Sequence, residues 1–164
     1  MNSDFKDLLR IFAEESVEYL VVGGYAVIQH TQPRYTKDID LWVRPSVDNA
    51  ARIVRAFGRF GLPLVEVTPQ DFENEGLQYA IGVAPCQIDF LTTLPGLPNF
   101  GESWNARVTE HTDGIPIHFL GLDHLILAKK TAGRPQDLAD LDQLERAARS
   151  PGDQNGQNDR SAAD

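Results

Sequence analysis

The sequence predicts an α+β fold in which a mixed central β-sheet is flanked by helices and followed by two C-terminal helices. Three observations support this prediction. A helical apolar repeat opens the chain, short apolar runs of strand length occupy the middle, and two helical segments close it. At 164 residues the chain can bury a substantial core, and its length favours one domain over two.

The N-terminal part is predicted to begin with a helix over residues 3–15, with Ser3 as its N-cap. Its apolar residues recur at i, i+3, i+4 and i+7, which is typical of one buried helical face. These residues are Phe5, Leu8, Leu9 and Phe12. The next predicted elements are a buried strand at Tyr19–Val22, a turn at Gly23-Gly24, a short helix at Tyr25–His30 and a strand at Asp38–Val43. The short helix is expected to end before Pro33, since the residue preceding a proline avoids helical geometry.

The middle of the chain is predicted to hold a third helix and several short strands. The helix begins after its N-cap, Ser46, and ends near residues 58–61. Its predicted core-facing residues are Val47, Ala50, Val54 and Phe57. Strands are predicted at Leu64–Val67, Leu77–Val83 and Cys86–Thr92, with a helical turn near Pro69–Glu75 and a loop over Leu94–Phe100. An Asp-Gly pair at Asp113-Gly114 predicts a hairpin between strands at Arg107–His111 and Ile115–Leu120.

Two helices are predicted to complete the domain. The first covers about Leu122–Thr131 and stops at Gly133, whose glycine suits a C-terminal cap. The second begins at Pro135 and carries Leu138, Leu141 and Leu144. We therefore expect one domain over residues 1–149. The remaining residues, 150–164, are almost free of apolar side chains and are predicted to form a disordered polar tail.

The composition is that of an ordinary globular protein and disfavours two function classes. The net charge is −9, from 24 acidic and 15 basic residues, which weighs against broad nucleic-acid binding through many phosphate contacts. No apolar run is long enough to span a bilayer, so no membrane partner is predicted. The N-terminus lacks the layout of a secretory signal and Cys86 is the only cysteine, so we expect a cytoplasmic location.

Three carboxylates stand out among otherwise apolar strands. Asp38 and Asp40 lie two residues apart on one predicted strand, so their side chains project from the same face. Asp89 sits within another apolar strand, where an aspartate is costly unless it is paired or binds a metal. If the two strands are neighbours, the three carboxylates converge. Carboxylates together with substrate phosphates are suitable ligands for Mg²⁺.

These residues resemble the motifs of the polymerase-β-type nucleotidyltransferase superfamily. The shared pattern is Gly23-Gly24, a spacer, Asp38-x-Asp40, and Asp89 on a later strand. Two further segments resemble small bacterial nucleotidyltransferase-like proteins related to the AbiEii-like abortive-infection toxins. They are Arg34-x-Thr36-x-Asp38-Ile39-Asp40 and Lys129…Arg134-x-x-Asp137-x-x-Asp140-Leu141. The resemblance covers roughly residues 5–148.

The resemblance implies a role for each matched residue. Asp38 and Asp40 would hold Mg²⁺, and Asp89 would complete the metal site and act on the acceptor hydroxyl as a general base or by positioning it. The backbone of Gly23-Gly24 would approach the triphosphate of an NTP. Nucleotide binding would be completed by Arg34, Thr36 and Lys129. A reason independent of the resemblance favours Lys129 over its neighbour, because it lies on the apolar stripe of its predicted helix.

Each residue also has a structural interpretation. Gly23-Gly24 could be a tight turn and the two neighbouring aspartates strand-end caps, while Arg34 and Thr36 could be ordinary loop residues. Lys129 could pair with Asp137 or Asp140 instead of phosphate. The leading functional prediction is an Mg²⁺-dependent transfer of a nucleoside monophosphate from an NTP to a hydroxyl of tRNA, protein or a small molecule, with a toxin–antitoxin partner as an extrapolation. The alternatives are a catalytically inactive nucleotide-binding or protein-interaction module and a purely structural domain.

Overall fold

The computed structural model describes residues 1–150, so nearly all of the predicted polar tail lies outside the described residues. The helices are α1 (Ser3–Glu14), α2 (Gly23–His30), α3 (Val47–Phe60), α4 (Phe100–Asn105), α5 (Leu122–Ala132) and α6 (Pro135–Arg149), with a 3-10 turn at Pro69–Glu73. The strands are β1 (Tyr19–Val22), β2 (Ile39–Val43), β3 (Gln78–Ile81), β4 (Ile88–Leu91), β5 (Val108–Thr112) and β6 (Ile115–Phe119). In this part of the chain, no helix has both the length and the apolar character needed to cross a bilayer.

The six strands form one mixed sheet in the order β3-β4-β2-β1-β6-β5. Parallel pairing joins β2 to β4 and β1 to β6, whereas β1–β2 and the two edge hairpins are antiparallel. The predicted α+β class with a mixed sheet and two C-terminal helices is therefore confirmed. The predicted Asp-Gly hairpin is confirmed as well, since Asp113-Gly114 joins β5 to β6.

An aromatic cluster anchors α1 and α3 on the sheet. Phe12 of α1 stacks on Phe57 of α3 and lies beside Phe90 of β4, with ring centroids 6.4 and 6.3 Å apart. All three rings are at most 1% exposed. The shorter helix α2 instead contacts β1 and β2, and also α5 and α6. The start of β2 is thereby brought close to the C-terminal helices.

Several local predictions were wrong, each for a physical reason. Leu64–Val67 forms no strand, because Glu66 adopts a left-handed backbone with φ of 66° that interrupts extended geometry. The N-cap of α1 is Asn2 rather than Ser3, since the Asn2 side chain accepts a hydrogen bond from the amide of Phe5.

The apolar stripe of α3 was also misplaced. Val47 lies in the first turn and is 66% exposed, and the buried face is rotated from the predicted one. It consists of Asn49, Ala50, Ile53, Ala56 and Phe57. The end of the predicted Leu94–Phe100 loop opens an unpredicted helix, α4. Its start has a readable signal, since the side chain of Asn99 caps the amide of Glu102.

Candidate active site

Two aspartates lie side by side on neighbouring strands of the sheet. Asp40 on β2 and Asp89 on β4 are register partners in a parallel pair, so their side chains leave the sheet on the same face. Asp38 precedes β2 and lies two residues before Asp40. One of its carboxylate oxygens, Oδ1, is buried without a hydrogen-bond partner in the described chain. The predicted adjacency of the strands is thus observed.

The charge of Asp40 is poorly compensated. Its pKa is raised from 3.8 to about 6, chiefly by burial and also by the neighbouring carboxylates of Asp89 and Asp38, while Lys129 and Arg134 act in the lowering direction. Asp89 is held in place by Gln87, whose amide nitrogen Nε2 donates to both carboxylate oxygens at 2.9 and 3.1 Å. Sequence reasoning did not identify Gln87, although its i−2 spacing places it on the same strand face.

The Gly-Gly turn is required by close contacts on both glycines. Gly23 has φ of +62°, and a Cβ there would lie 2.1 Å from the Asp40 Oδ2 atom. A Cβ on Gly24 would lie 2.6 Å from the Thr36 hydroxyl oxygen. Both residues belong to the first turn of α2, which has no side-chain N-cap hydrogen bond. The first turn of this helix therefore lies beside the Asp40 carboxylate and has no capping side chain.

A small cavity of about 120 Å³ joins the strand end to the C-terminal helices. Its polar lining is formed by Gly23, Asp40, Lys129, Arg134 and Asp137. The rest of the lining is apolar, including Leu94 from the loop and Leu125 from α5. Carboxylate, backbone and cationic groups thus line one confined space beside an apolar wall. Anionic phosphate together with an apolar or aromatic moiety would suit such a lining.

The sequence model of one protein family, described as a nucleotidyltransferase of unknown function (DUF6036), matches residues 4–148. The chain belongs to this family. No curated protein matches the sequence significantly.

Solved structures support the nucleotidyltransferase-like fold of this DUF6036 protein. The antibiotic-resistance factor ANT(2'')-Ia is 14% identical over 92% of this chain and 83% of its own, with a TM-score of 0.59. A candidate nucleotidyltransferase from Thermotoga maritima is 15% identical over 87% of this chain and 90% of its own, with a TM-score of 0.57. The lincosamide antibiotic adenylyltransferase LnuA, solved with lincomycin bound, is 12% identical over 90% of this chain and 98% of its own, with a TM-score of 0.54.

In this family member, Lys129 is part of a buried ion cluster. Its Nζ atom lies 2.9 Å from Asp137 Oδ1 and 3.1 Å from Asp140 Oδ2, and both aspartates are 1% exposed. Arg134 pairs with Asp137 through an Nε–Oδ2 contact of 2.7 Å. Burial alone would raise the pKa of Asp137, but hydrogen bonds from Arg134 and Lys129 outweigh it and lower the pKa to about 2. The structural interpretation of Lys129, pairing with Asp137 or Asp140, is therefore observed. Lys129 also lines the cavity.

The remaining predicted residues lie beside this cluster. Arg34 pairs with Asp140, with Nη2 and Oδ2 3.1 Å apart, and Thr36 packs on Gly24. Both also line a separate cavity of about 430 Å³ on the other side of α2, together with Tyr25 and other residues. The structure therefore gathers Gly23, Asp40 and Lys129 in one cavity, with Asp89 beside Asp40. Arg34 and Thr36 lie outside its lining and reach it only through Asp140 and Gly24. Arg134 lines the cavity too, although sequence reasoning quoted it within a motif without giving it a role.

The chemistry of the carboxylates fits Mg²⁺. Asp40 and Asp89 supply oxygen donors with excess negative charge, and the unpartnered oxygen of Asp38 lies close by in sequence. Among residues 1–150, however, no group of three or more His, Cys, Asp or Glu side chains is arranged as a complete metal cage. Mg²⁺ is usually bound by one or two carboxylates with water and substrate phosphates, so a pair is sufficient.

Proposed function

We propose that this DUF6036 protein is an Mg²⁺-dependent nucleotidyltransferase that moves a nucleoside monophosphate from an NTP to an acceptor hydroxyl. The observation that carries the proposal is the register-matched pair of Asp40 and Asp89, in which Asp40 lies against Gly23 and lines one cavity with Lys129 and Arg134. Family membership and the fold of the neighbours support the reaction class.

The proposed chemistry assigns separate tasks to the two sides of the cavity. Asp40 and Asp89, with Asp38, would hold Mg²⁺, which supplies charge neutralisation for the triphosphate. The first amides of α2 and the side chains of Lys129 and Arg134 would bind phosphate oxygens. The acceptor oxygen forms a bond to the α-phosphorus, and the bond to the β-phosphate oxygen breaks. Pyrophosphate leaves, and the hydroxyl proton passes to the carboxylate of Asp89 or to water positioned by it.

The acceptor is proposed from the neighbours as a small hydroxylated molecule. LnuA is an adenylyltransferase of lincosamide antibiotics, and ANT(2'')-Ia is an antibiotic-resistance factor. A tRNA end and a protein hydroxyl remain competing acceptors. Incubation with each α-labelled NTP, Mg²⁺ and separate small-molecule, RNA and protein fractions of a cell lysate distinguishes them by the fraction that becomes labelled.

The activity itself is tested by removing one carboxylate at a time. We expect labelled product from the wild-type chain, its loss on EDTA treatment, and its loss in Asp40→Asn and Asp89→Asn. Asp48→Asn, at an exposed position in the first turn of α3, is the matched control and should retain activity. Labelling that survives both active-site substitutions would contradict the proposal.

A second candidate function is an inactive nucleotide-binding or protein-interaction module. The ion cluster favours it, because Lys129 and Arg134 already have carboxylate partners in the described structure. Calorimetric binding of Mg²⁺–NTP without labelled product in any lysate fraction would support this module. A bound nucleotide should also raise the melting temperature, whereas a purely structural domain would show neither binding nor shift.

The resemblance to AbiEii-like proteins motivates one biological extension, a role as a toxin–antitoxin component with a cognate partner protein. Regulated expression of the wild-type chain should then arrest growth, and Asp40→Asn should abolish the arrest at equal protein level. Co-expression of the neighbouring gene product should restore growth if that product is the partner. Unaffected growth with active enzyme would contradict the toxin role and leave the transferase proposal intact.

A further inference from the structure

The segment before β2 has few attachments of its own. Residues 32–38 have no regular secondary structure, and within the described chain they make no backbone–backbone hydrogen bonds. Yet this segment carries Thr36, which packs on Gly24, and Asp38, which precedes the catalytic strand. Side chains must therefore determine where it lies.

One ion pair joins this segment to the C-terminal helix α6. Arg34 Nη2 lies 3.1 Å from Asp140 Oδ2, across 106 residues of sequence. Asp140 is 1% exposed, whereas the Arg34 side chain is 29% exposed. A carboxylate so deeply buried has a strong requirement for cationic partners, because desolvation is costly when it is not compensated.

The carboxylate of Asp140 also connects to the active-site lysine. The same Oδ2 atom that accepts from Arg34 lies 3.1 Å from Lys129 Nζ, and Oδ1 accepts from the Gln136 amide at 3.1 Å. On its other side the Arg34 guanidinium approaches Gly24, where a Cβ would lie 3.6 Å from Nη2. Arg34 is thus held between the glycine turn and α6.

We propose that Asp140 is a positioning residue that fixes the Arg34–Asp38 segment and Lys129 relative to each other. The expected effect on catalysis rests on the proposed function, whereas the expected effect on the position of the segment does not. In this arrangement Asp140 contacts no substrate. It orients two cations from distant parts of the chain through a single oxygen, so that the nucleotide-binding segment and the phosphate-facing lysine move together.

The first test is proteolysis, which requires no activity. Lys37 is exposed within the segment, so trypsin cleavage after Lys37 reports release of the segment. We expect cleavage there to be at least about tenfold faster in Asp140→Asn than in Asp137→Asn, relative to cleavage after Arg55 in α3, which reports global unfolding. Asp137 is the matched control because it is equally buried and pairs with Lys129 but forms no ion pair or hydrogen bond with Arg34. Equal relative cleavage in the two variants would overturn the proposal.

A second variant, at Arg34, allows the proposal to be tested even if Asp140→Asn does not fold. Arg34→Gln breaks the same pair from its more exposed side and should expose Lys37 to the same extent, while Arg34→Lys should restore part of the protection. The double variant should then be cleaved no faster than either single variant, because both remove one interaction. Additive acceleration would contradict a shared role.

The catalytic consequence is measured as a split between KM and kcat. We expect Asp140→Asn to raise the KM for Mg²⁺–NTP at least about fivefold, with no further increase in the double variant with Arg34→Gln. A lowered active fraction would reduce apparent kcat and leave KM unchanged, and that outcome would argue against positioning. If the wild-type chain transfers no nucleotide, the proposed function fails, whereas the cleavage comparison still decides whether Asp140 holds the segment.

Discussion

Two pairs of aspartates lie close to the same cations, and their electrostatic states are opposite. Among residues 1–150, Asp40 and Asp89, on adjacent strands, have no cationic partner within ion-pair distance, and the pKa of Asp40 is raised to about 6. Asp137 and Asp140, one helical turn apart on α6, are fully paired, and the pKa of Asp137 is lowered to about 2. We infer that the helical pair serves as structure, whereas the strand pair retains charge that a bound cation can neutralise.

The comparison predicts that the same substitution has opposite effects on stability in the two pairs. Asp137→Asn removes a buried partner of Lys129 and Arg134, so the free energy of unfolding should fall by about 3 kcal/mol. Urea unfolding followed by circular dichroism at pH 7.5 measures this loss. A change close to zero would show that the helical pair is not a structural anchor.

Asp40→Asn should instead stabilise the fold while it destroys activity. Removing a charge whose pKa is raised from 3.8 to about 6 relieves an unfavourable interaction of roughly 3 kcal/mol at pH 7.5, and part of it should appear as a gain in unfolding free energy. Turnover should fall at least about a hundredfold, because the metal loses a ligand. A destabilised Asp40→Asn protein would mean that this carboxylate is structurally paired after all.

The pH dependence of stability should show the two pairs in separate ranges. Asp137 has a lowered folded-state pKa, so its stabilisation is present above about pH 4 and is lost as the pH falls towards 2. Asp40 has a raised folded-state pKa, so stability falls as the pH rises from about 4 through 6. Urea titrations from pH 2 to 8 should therefore show a maximum near pH 4 from these two groups. Asp40→Asn should flatten the upper limb only.

The sequence predicted more of the strand pair than of the helical pair. The isolated Asp89 in an apolar strand indicated a strand beside the one that carries Asp40, as the structure shows. The predicted strand began one residue too early, since β2 starts at Ile39 and Asp38 precedes it. The arrangement around Lys129 was harder to predict, because its partners depend on how α5 packs on α6 and on where Arg34 reaches. The local backbone conformation could also not be predicted from the sequence at every position. The left-handed Glu66 abolished a predicted strand, and nothing in its apolar neighbours indicated that.

The electrostatic coupling between the two aspartate pairs can be tested at Lys129, which forms ion pairs with Asp137 and Asp140 and lowers the pKa of Asp40. Lys129 lowers the pKa of Asp40, so Lys129→Met should raise that pKa above about 6. Carboxyl ¹³C NMR titration of the Asp40 side chain measures the shift. Lys130→Met is the matched control, since Lys130 is exposed and pairs with Glu145 at 3.3 Å, and it should leave the titration of Asp40 unchanged. If Asp40 titrates identically in both variants, Lys129 belongs to the helical pair alone, and the phosphate-binding role proposed for it loses its electrostatic basis.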